Sequence, residues 1–151
     1  MSLAFVLWLA SWLPQPVADP LCLATTVYLE ARDQSELGQR AVAEVALRRL
    51  DSGRWGDSLC EVVTAPKQFA PTLVSRDFSI KNLKAWNRAV AIAFRSMRVW
   101  NLPSHRRPLI VPGADHFLVH HKVGPVTPDW AKGVPVAQIG DHTFYRGKRK
   151  L

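Results

Sequence analysis

A glutamate set among hydrocarbon side chains is the part of this sequence best suited to chemistry. In Val27-Tyr28-Leu29-Glu30-Ala31-Arg32-Asp33 the acid lies in an apolar, helix-like stretch that begins at Leu21, Cys22, Leu23 and Ala24. A carboxylate is rarely buried unless it is paired or useful. Apolar walls raise its pKa and can keep a proton on it near neutrality, as a general acid requires. Two ordinary readings stand beside this one: Glu30 faces solvent, or it pairs with Arg32 or Arg48.

The elements that would hold Glu30 follow from caps and periodicity. Asp19-Pro20 has the form of an N-cap with proline at the first helical position and predicts a helix over about 20–32. Ser35 or Glu36 opens a second helix, about 36–50, with Leu37, Ala41, Val42, Val45 and Leu50 on its core face. Gln39, Arg40, Arg48 and Arg49 fall on the other face. Asp57 or Ser58 caps a short helix ended by Pro66. Lys67 to Ser79 reads as a loop headed by Gln68-Phe69. A long helix over about 82–100 buries Leu83, Trp86, Val90, Ala93, Phe94 and Met97. Beyond it the period changes to that of strands, with Ala114–His121, Val136–Gly140 and His142–Arg146 as candidates and Gly140-Asp141 as a tight turn. Four helices followed by a small antiparallel sheet make an α+β domain.

Composition sets the outer limits. The chain has 151 residues, 48% hydrophobic and 21% charged, enough for one domain with its own core. Its net charge of +8 favours anionic partners such as nucleic acid, acidic lipid surfaces or anionic wall polymers. Leu3 to Leu13 is uncharged and ends at Pro14 and Pro16. It is too short to span a bilayer and reads as either a signal-like h-region or a packed helix. The expected organisation is an apolar segment over 1–19, a catalytic domain over 20–146 and a basic tail over 147–151. Cys22 and Cys60 form one disulfide if the protein is exported, and remain two buried thiols in a reducing compartment.

The order of motifs resembles the SleB-type (spore-cortex-lytic) cell-wall hydrolases. Cys22-Leu23-Ala24, Val27-Tyr28, Glu30-Ala31-Arg32 and Gly38-Gln39-Arg40-Ala41-Val42-Ala43-Glu44-Val45 carry the likeness first. Trp55, Asp57-Ser58, Cys60, Val62-Val63 and Gln68-Phe69 continue it, and Pro128, Trp130-Ala131, Ile139-Gly140-Asp141-His142 and Phe144-Tyr145 complete it. The resemblance implies a mainly helical, lysozyme-like domain with a small C-terminal antiparallel sheet. It implies cleavage of peptidoglycan between N-acetylmuramic acid and N-acetylglucosamine, with Glu30 as general acid and base and no cofactor. Family members behave as lytic transglycosylases and include phage endolysins and bacterial wall-remodelling enzymes. The family's Glu-Ala-Arg-Gly-Glu reads Glu30-Ala31-Arg32-Asp33-Gln34 here, and its Gln-Phe-Ser reads Gln68-Phe69-Ala70. The family's Tyr-His strand appears as His116 to His121, where alternation favours His120 on the side of His116 and Leu118.

Sugar chemistry then orders the other candidates. A two-carboxylate glycosidase needs a partner acid. Asp33, Glu36, Asp115, Asp129 and Asp141 qualify by type, with Asp129 best by location, though a capping or turn role suits it better. A one-acid transglycosylase needs none. Gln68 can bond an acetamido group or cap the preceding helix, while Trp130 and Tyr145 can stack on sugar rings. Phe69 is expected to wall the pocket, and Tyr28 to lie in the core. The expected substrate-binding set is Gln68, Phe69, His120, Trp130 and Tyr145. The rival enzyme is a zinc-dependent N-acetylmuramoyl-L-alanine amidase using His116, His120, His121 or His142. On a strand, however, His116 and His120 would stand about 13 Å apart. A basic nucleic-acid-binding module is the non-enzymatic rival, but the cations are scattered and no specific nucleic-acid motif is present. The expected partner is therefore the glycan strand, met by a monomer in the periplasm or cell wall after export or release from a phage-infected cell. The positive charge would add attraction to anionic wall or outer-membrane surfaces.

Overall fold

The computed structural model describes residues 1–65, 68–69 and 78–147. Five α-helices precede a three-stranded sheet: α1 (Leu3–Trp12), α2 (Gln15–Ala31), α3 (Glu36–Ser52), α4 (Leu59–Thr64), α5 (Leu83–Trp100), β1 (His116–Leu118), β2 (Ala137–Ile139) and β3 (His142–Tyr145). The mainly helical α+β architecture is the one the periodicity predicts. Short 3₁₀ turns at Ser104–Arg106, His120–Lys122 and Asp129–Ala131 punctuate the remaining loops.

The N-terminal apolar run forms α1, whose Leu3, Val6 and Ala10 are buried. Val6 and Ala10 join the main core with Leu23, Val27, Leu59, Val62, Val63, Trp86 and Ile92. The other side of α1 leaves Phe5, Trp8 and Trp12 at the surface. No helix among the described residues is long and apolar enough to cross a membrane.

α2 starts at Gln15, with Pro14 as its N-cap, and Pro20 lies inside it. The predicted start at Asp19-Pro20 is thus corrected, and the expected boundary at 19/20 falls within a helix. Asp19 is used elsewhere: its buried carboxylate accepts a hydrogen bond from the Cys60 backbone N–H at 3.4 Å. Ser58 accepts from the Glu61 N–H, so side chains from both α2 and the preceding loop serve the first turn of α4. The Cys22–Cys60 disulfide fixes the same two helices to each other.

The helical faces also need correction. In α3, Gln39, Glu44 and Arg49 are buried whereas Leu37 is half exposed. In α5, Leu83 and Phe94 are exposed, and Trp86, Ala89, Ile92 and Ala93 face the core. α5 keeps one buried stripe that leaves Leu83 and Phe94 outside it. α3 is covered by neighbours over more of its circumference than a single stripe describes, and polar residues enter where a hydrogen-bond partner awaits. Glu44 illustrates this by accepting the Ile110 and Val111 backbone N–H groups at 2.7 and 2.8 Å.

The sheet has the order β1-β3-β2 and is antiparallel throughout. Pairing of Ile139 with His142 leaves Gly140-Asp141 as a two-residue hairpin turn. Gly140 has φ 57°, the left-handed region that favours glycine. Gln34 holds this turn from the α2–α3 corner, accepting the Asp141 backbone N–H at 3.0 Å and donating to the Asp141 carboxylate at 2.9 Å. The residue standing where the family carries its second glutamate is therefore a clamp between helices and sheet.

Candidate active site

Glu30 occupies the last turn of α2, next to the fully buried Ala31, and is itself half buried. Its surroundings are not hydrocarbon alone. α3 delivers Arg49 into electrostatic reach of Glu30, and this guanidinium is 4% exposed. Arg49 Nε donates to the Asp115 carbonyl at 2.7 Å, and Nη1 donates to Gln68 Oε1 at 3.2 Å. Its charged head lies 4.6 Å from the Trp55 ring centre and 4.7 Å from that of Phe69. Cation–π contact and the two hydrogen bonds hold the guanidinium in one orientation. Burial pushes the Arg49 pKa down to about 10, against the opposing pull of Asp115 and Glu30, so the cation persists at neutral pH.

The other expected site residues fall into two groups. Gln68 and Phe69 gather at Arg49. Gln68 keeps its side-chain oxygen on the guanidinium, and Phe69 is fully buried against Arg49 and Phe117, a packing residue behind the guanidinium. His120, Trp130 and Tyr145 gather instead on the β-sheet. Trp130 is half buried, 4.7 Å from the His116 ring and 5.7 Å from Tyr145. Tyr145 is only 4% exposed, which corrects its expected role as a platform for sugar rings. Its hydroxyl bonds His120 Nε2 at 2.8 Å.

His120 departs from expectation as well. β1 stops at Leu118, and His120 opens a 3₁₀ turn at the surface, so alternation with His116 does not extend to it. A strand needs a partner for each residue, and on the β1 side β3 pairs with His116, Phe117 and Leu118 and goes no further. His142 stands at the far end of β3, buried between Phe117 and Phe144. Burial pushes its pKa down, opposed by the charges of Asp33 and Asp141 and by the Glu30 backbone. Neither ring nitrogen of His142 completes a well-formed hydrogen bond among the described residues. No group of three His, Cys, Asp or Glu side chains among those residues is placed to hold a metal ion.

His116 joins the two groups. Its ring lies 6.1 Å from Trp55 and 4.7 Å from Trp130, and Nδ1 bonds Asp115 at 2.7 Å. A path of side chains thus runs from Glu30 through Arg49, Trp55 and His116 to Trp130. Burial alone would raise the Asp115 pKa. The hydrogen bonds from His116 and Gly147, with the charges of His116 and Arg49, bring it below the usual carboxylate range. Sequence reasoning missed Arg49 as a site residue and weighed His116 only as a metal ligand. One signal existed for Arg49: it continues the spacing of Val42 and Val45, which puts a charge on a buried stripe.

The five acids considered as partners for Glu30 are all engaged. Asp33 accepts from Gln34 at 3.3 Å, Glu36 from Arg95 at 2.8 Å and Asp115 bonds His116 at 2.7 Å. Asp129 is paired with Lys132 at 2.6 Å, in the turn role expected of it, and Asp141 is held by Gln34 at 2.9 Å.

Residues 33–145 match the family model described as Cell Wall Hydrolase. The matched span begins just after Glu30 and takes in Arg49, Trp55, His116, Trp130 and Tyr145. No curated protein and no solved structure matches the chain. The family match covers most of the sequence and agrees with the SleB-type resemblance of its motifs: the chain belongs to the cell wall hydrolase family, whose substrate is peptidoglycan.

Proposed function

We propose that this protein cleaves the glycosidic bond between N-acetylmuramic acid and N-acetylglucosamine as a lytic transglycosylase, with Glu30 as its single acid and base. One observation carries the reading: a half-buried carboxylate at the end of α2 lies within reach of a buried arginine, whose guanidinium packs on Trp55 and Phe69. In the first step Glu30 gives its proton to the glycosidic oxygen, the C1–O bond breaks and positive charge develops at C1 of muramic acid. In the second, the 6-hydroxyl of that sugar attacks C1 while the Glu30 carboxylate takes the hydroxyl proton. A 1,6-anhydro end results, and Glu30 regains its starting state.

The engagement of Asp33, Glu36, Asp115, Asp129 and Asp141 by other partners supports the one-acid route over a two-carboxylate one. Arg49 stabilises the carboxylate that the first step leaves behind, as a preorganised charge held in place by its hydrogen bonds and ring contacts. Mass spectrometry of digested peptidoglycan tests the reaction: anhydro ends are expected, whereas reducing ends mean hydrolysis and released peptides mean amide cleavage. Glu30→Gln should keep the thermal unfolding midpoint and lower turnover by at least about a hundredfold. Parental turnover in that variant overturns the assignment.

A further inference from the structure

A concave site adjoins the aromatic path through Arg54, which stacks on Trp55, and Asp115, which bonds His116. A cavity of about 620 Å³ is lined by Arg48, Ser52, Arg54, Gly113, Asp115, Arg146 and Gly147. Its three guanidiniums differ in what they are free to do. Arg48 is committed to the protein, donating to the Val111 and Ala114 carbonyls and pairing with Glu44. Arg54 and Arg146 are exposed and form no ion pair among the described residues. Arg54 is fixed by stacking, 4.8 Å from the Trp55 ring centre. Arg146 lies against Gly113, where a Cβ would collide with the guanidinium; with φ 77°, this position favours glycine on conformational grounds as well. The single acid of the lining, Asp115, uses Oδ1 for both His116 and the Gly147 N–H, leaving its other oxygen to face a donor.

The cavity and the proposed acid flank one residue. Arg49 lies within electrostatic reach of both Glu30 and Arg54, and it binds the Asp115 carbonyl. Trp55 touches Arg49 and Arg54, while His116 joins Asp115 to Trp130. A glycan seated along that path would bring muramic acid beside the cavity, and muramic acid carries a peptide stem. The stem bears carboxylates, which guanidiniums bind with two parallel hydrogen bonds, and backbone N–H groups, which Asp115 can accept. We infer that the Arg54–Arg146 cavity binds the carboxylate-bearing peptide stem of the muramic acid at the cleavage site, so that the enzyme prefers peptide-substituted glycan over bare glycan. A phosphate-bearing wall polymer shares the anionic chemistry but is not tied to the sugar being cleaved. The inference rests on the glycosidase reading and deepens it.

The test compares kcat/KM on peptide-bearing glycan with that on the same glycan stripped of its peptides. The wild-type ratio should exceed one and should fall about tenfold in Arg54→Gln/Arg146→Gln, mainly through KM on the peptide-bearing strand. Arg54→Lys/Arg146→Lys should recover part of it, since the charge remains. An unchanged ratio in the glutamine double variant overturns the inference. Should that variant fold poorly, the wild-type enzyme decides. Free L-alanyl-γ-D-glutamyl-diaminopimelate should inhibit cleavage of peptide-bearing glycan more strongly than glycerol phosphate does at equal concentration and ionic strength. Equal or reversed inhibition overturns the assignment to the stem. Failure of the glycosidase reading is seen separately, as an absence of new glycan ends from either substrate.

Discussion

A guanidinium buried beside a carboxylate alters how readily that carboxylate keeps a proton. Arg49 and Glu30 attract each other, which favours the ionised acid, while the apolar flank of α2 favours the neutral one. The apolar setting alone, as it appears along the sequence, omits this cation. If Glu30 delivers the proton, kcat/KM falls as the pH rises through its pKa. Removing the cation favours the neutral acid, so in Arg49→Met the alkaline limb should move to higher pH. Arg49→Lys should leave the limb close to its parental position, and an identical limb in Arg49→Met would remove Arg49 from the mechanism. His142 supplies a stability prediction of opposite origin. Its pKa is lowered by burial, so the unfolded chain takes up the proton more readily than the folded one. Its contribution is therefore complete above about pH 6.5 and is lost as the pH falls toward the lower folded value. His142→Phe should flatten the decline of the thermal midpoint between about pH 7 and pH 5. Parallel curves for the two proteins would show that His142 is not the group responsible.

At the scale of elements, α2 and α4 are tied by a disulfide and by the Asp19 carboxylate on the Cys60 N–H. The disulfide closes a loop over a sequence separation of 38 residues, for which loss of chain entropy in the unfolded state gives about 4 kcal/mol. Cys22→Ala/Cys60→Ala should lower the unfolding free energy by about that amount in urea titrations, and reducing agent should destabilise the parent but not the variant. Much of the element order was readable from caps and period: the helix over about 82–100, Ser58 before α4 and the Gly140-Asp141 turn stand where the sequence puts them. The start of α2 was not, because Asp19-Pro20 has the form of a helix start while its acid is used across space by Cys60. The end of β1 was not either, since alternation continues past Leu118 in the sequence but its partner strand does not.

For the molecule as a whole, charge and shape act at different ranges. A net charge of +8 acts on any anionic surface over about a Debye length, roughly 10 Å at 0.1 M salt. Deleting 148–151, which lie outside the described residues, should weaken adsorption to isolated walls at low salt while sparing cleavage of soluble glycan fragments. Equal adsorption of the two forms at low salt would place the attraction elsewhere. The sequence by itself determined the helical body, the terminal sheet, the family and the prominence of Glu30, because periodicity, caps and ordered motifs are local properties of a chain. Only the tertiary structure decided that Arg49 lies within electrostatic reach of Glu30, that His116 connects Trp55 with Trp130, and that Arg54 and Arg146 share a cavity with Asp115. Those contacts join residues on separate elements, and a buried charge is placed by the partners it finds across space.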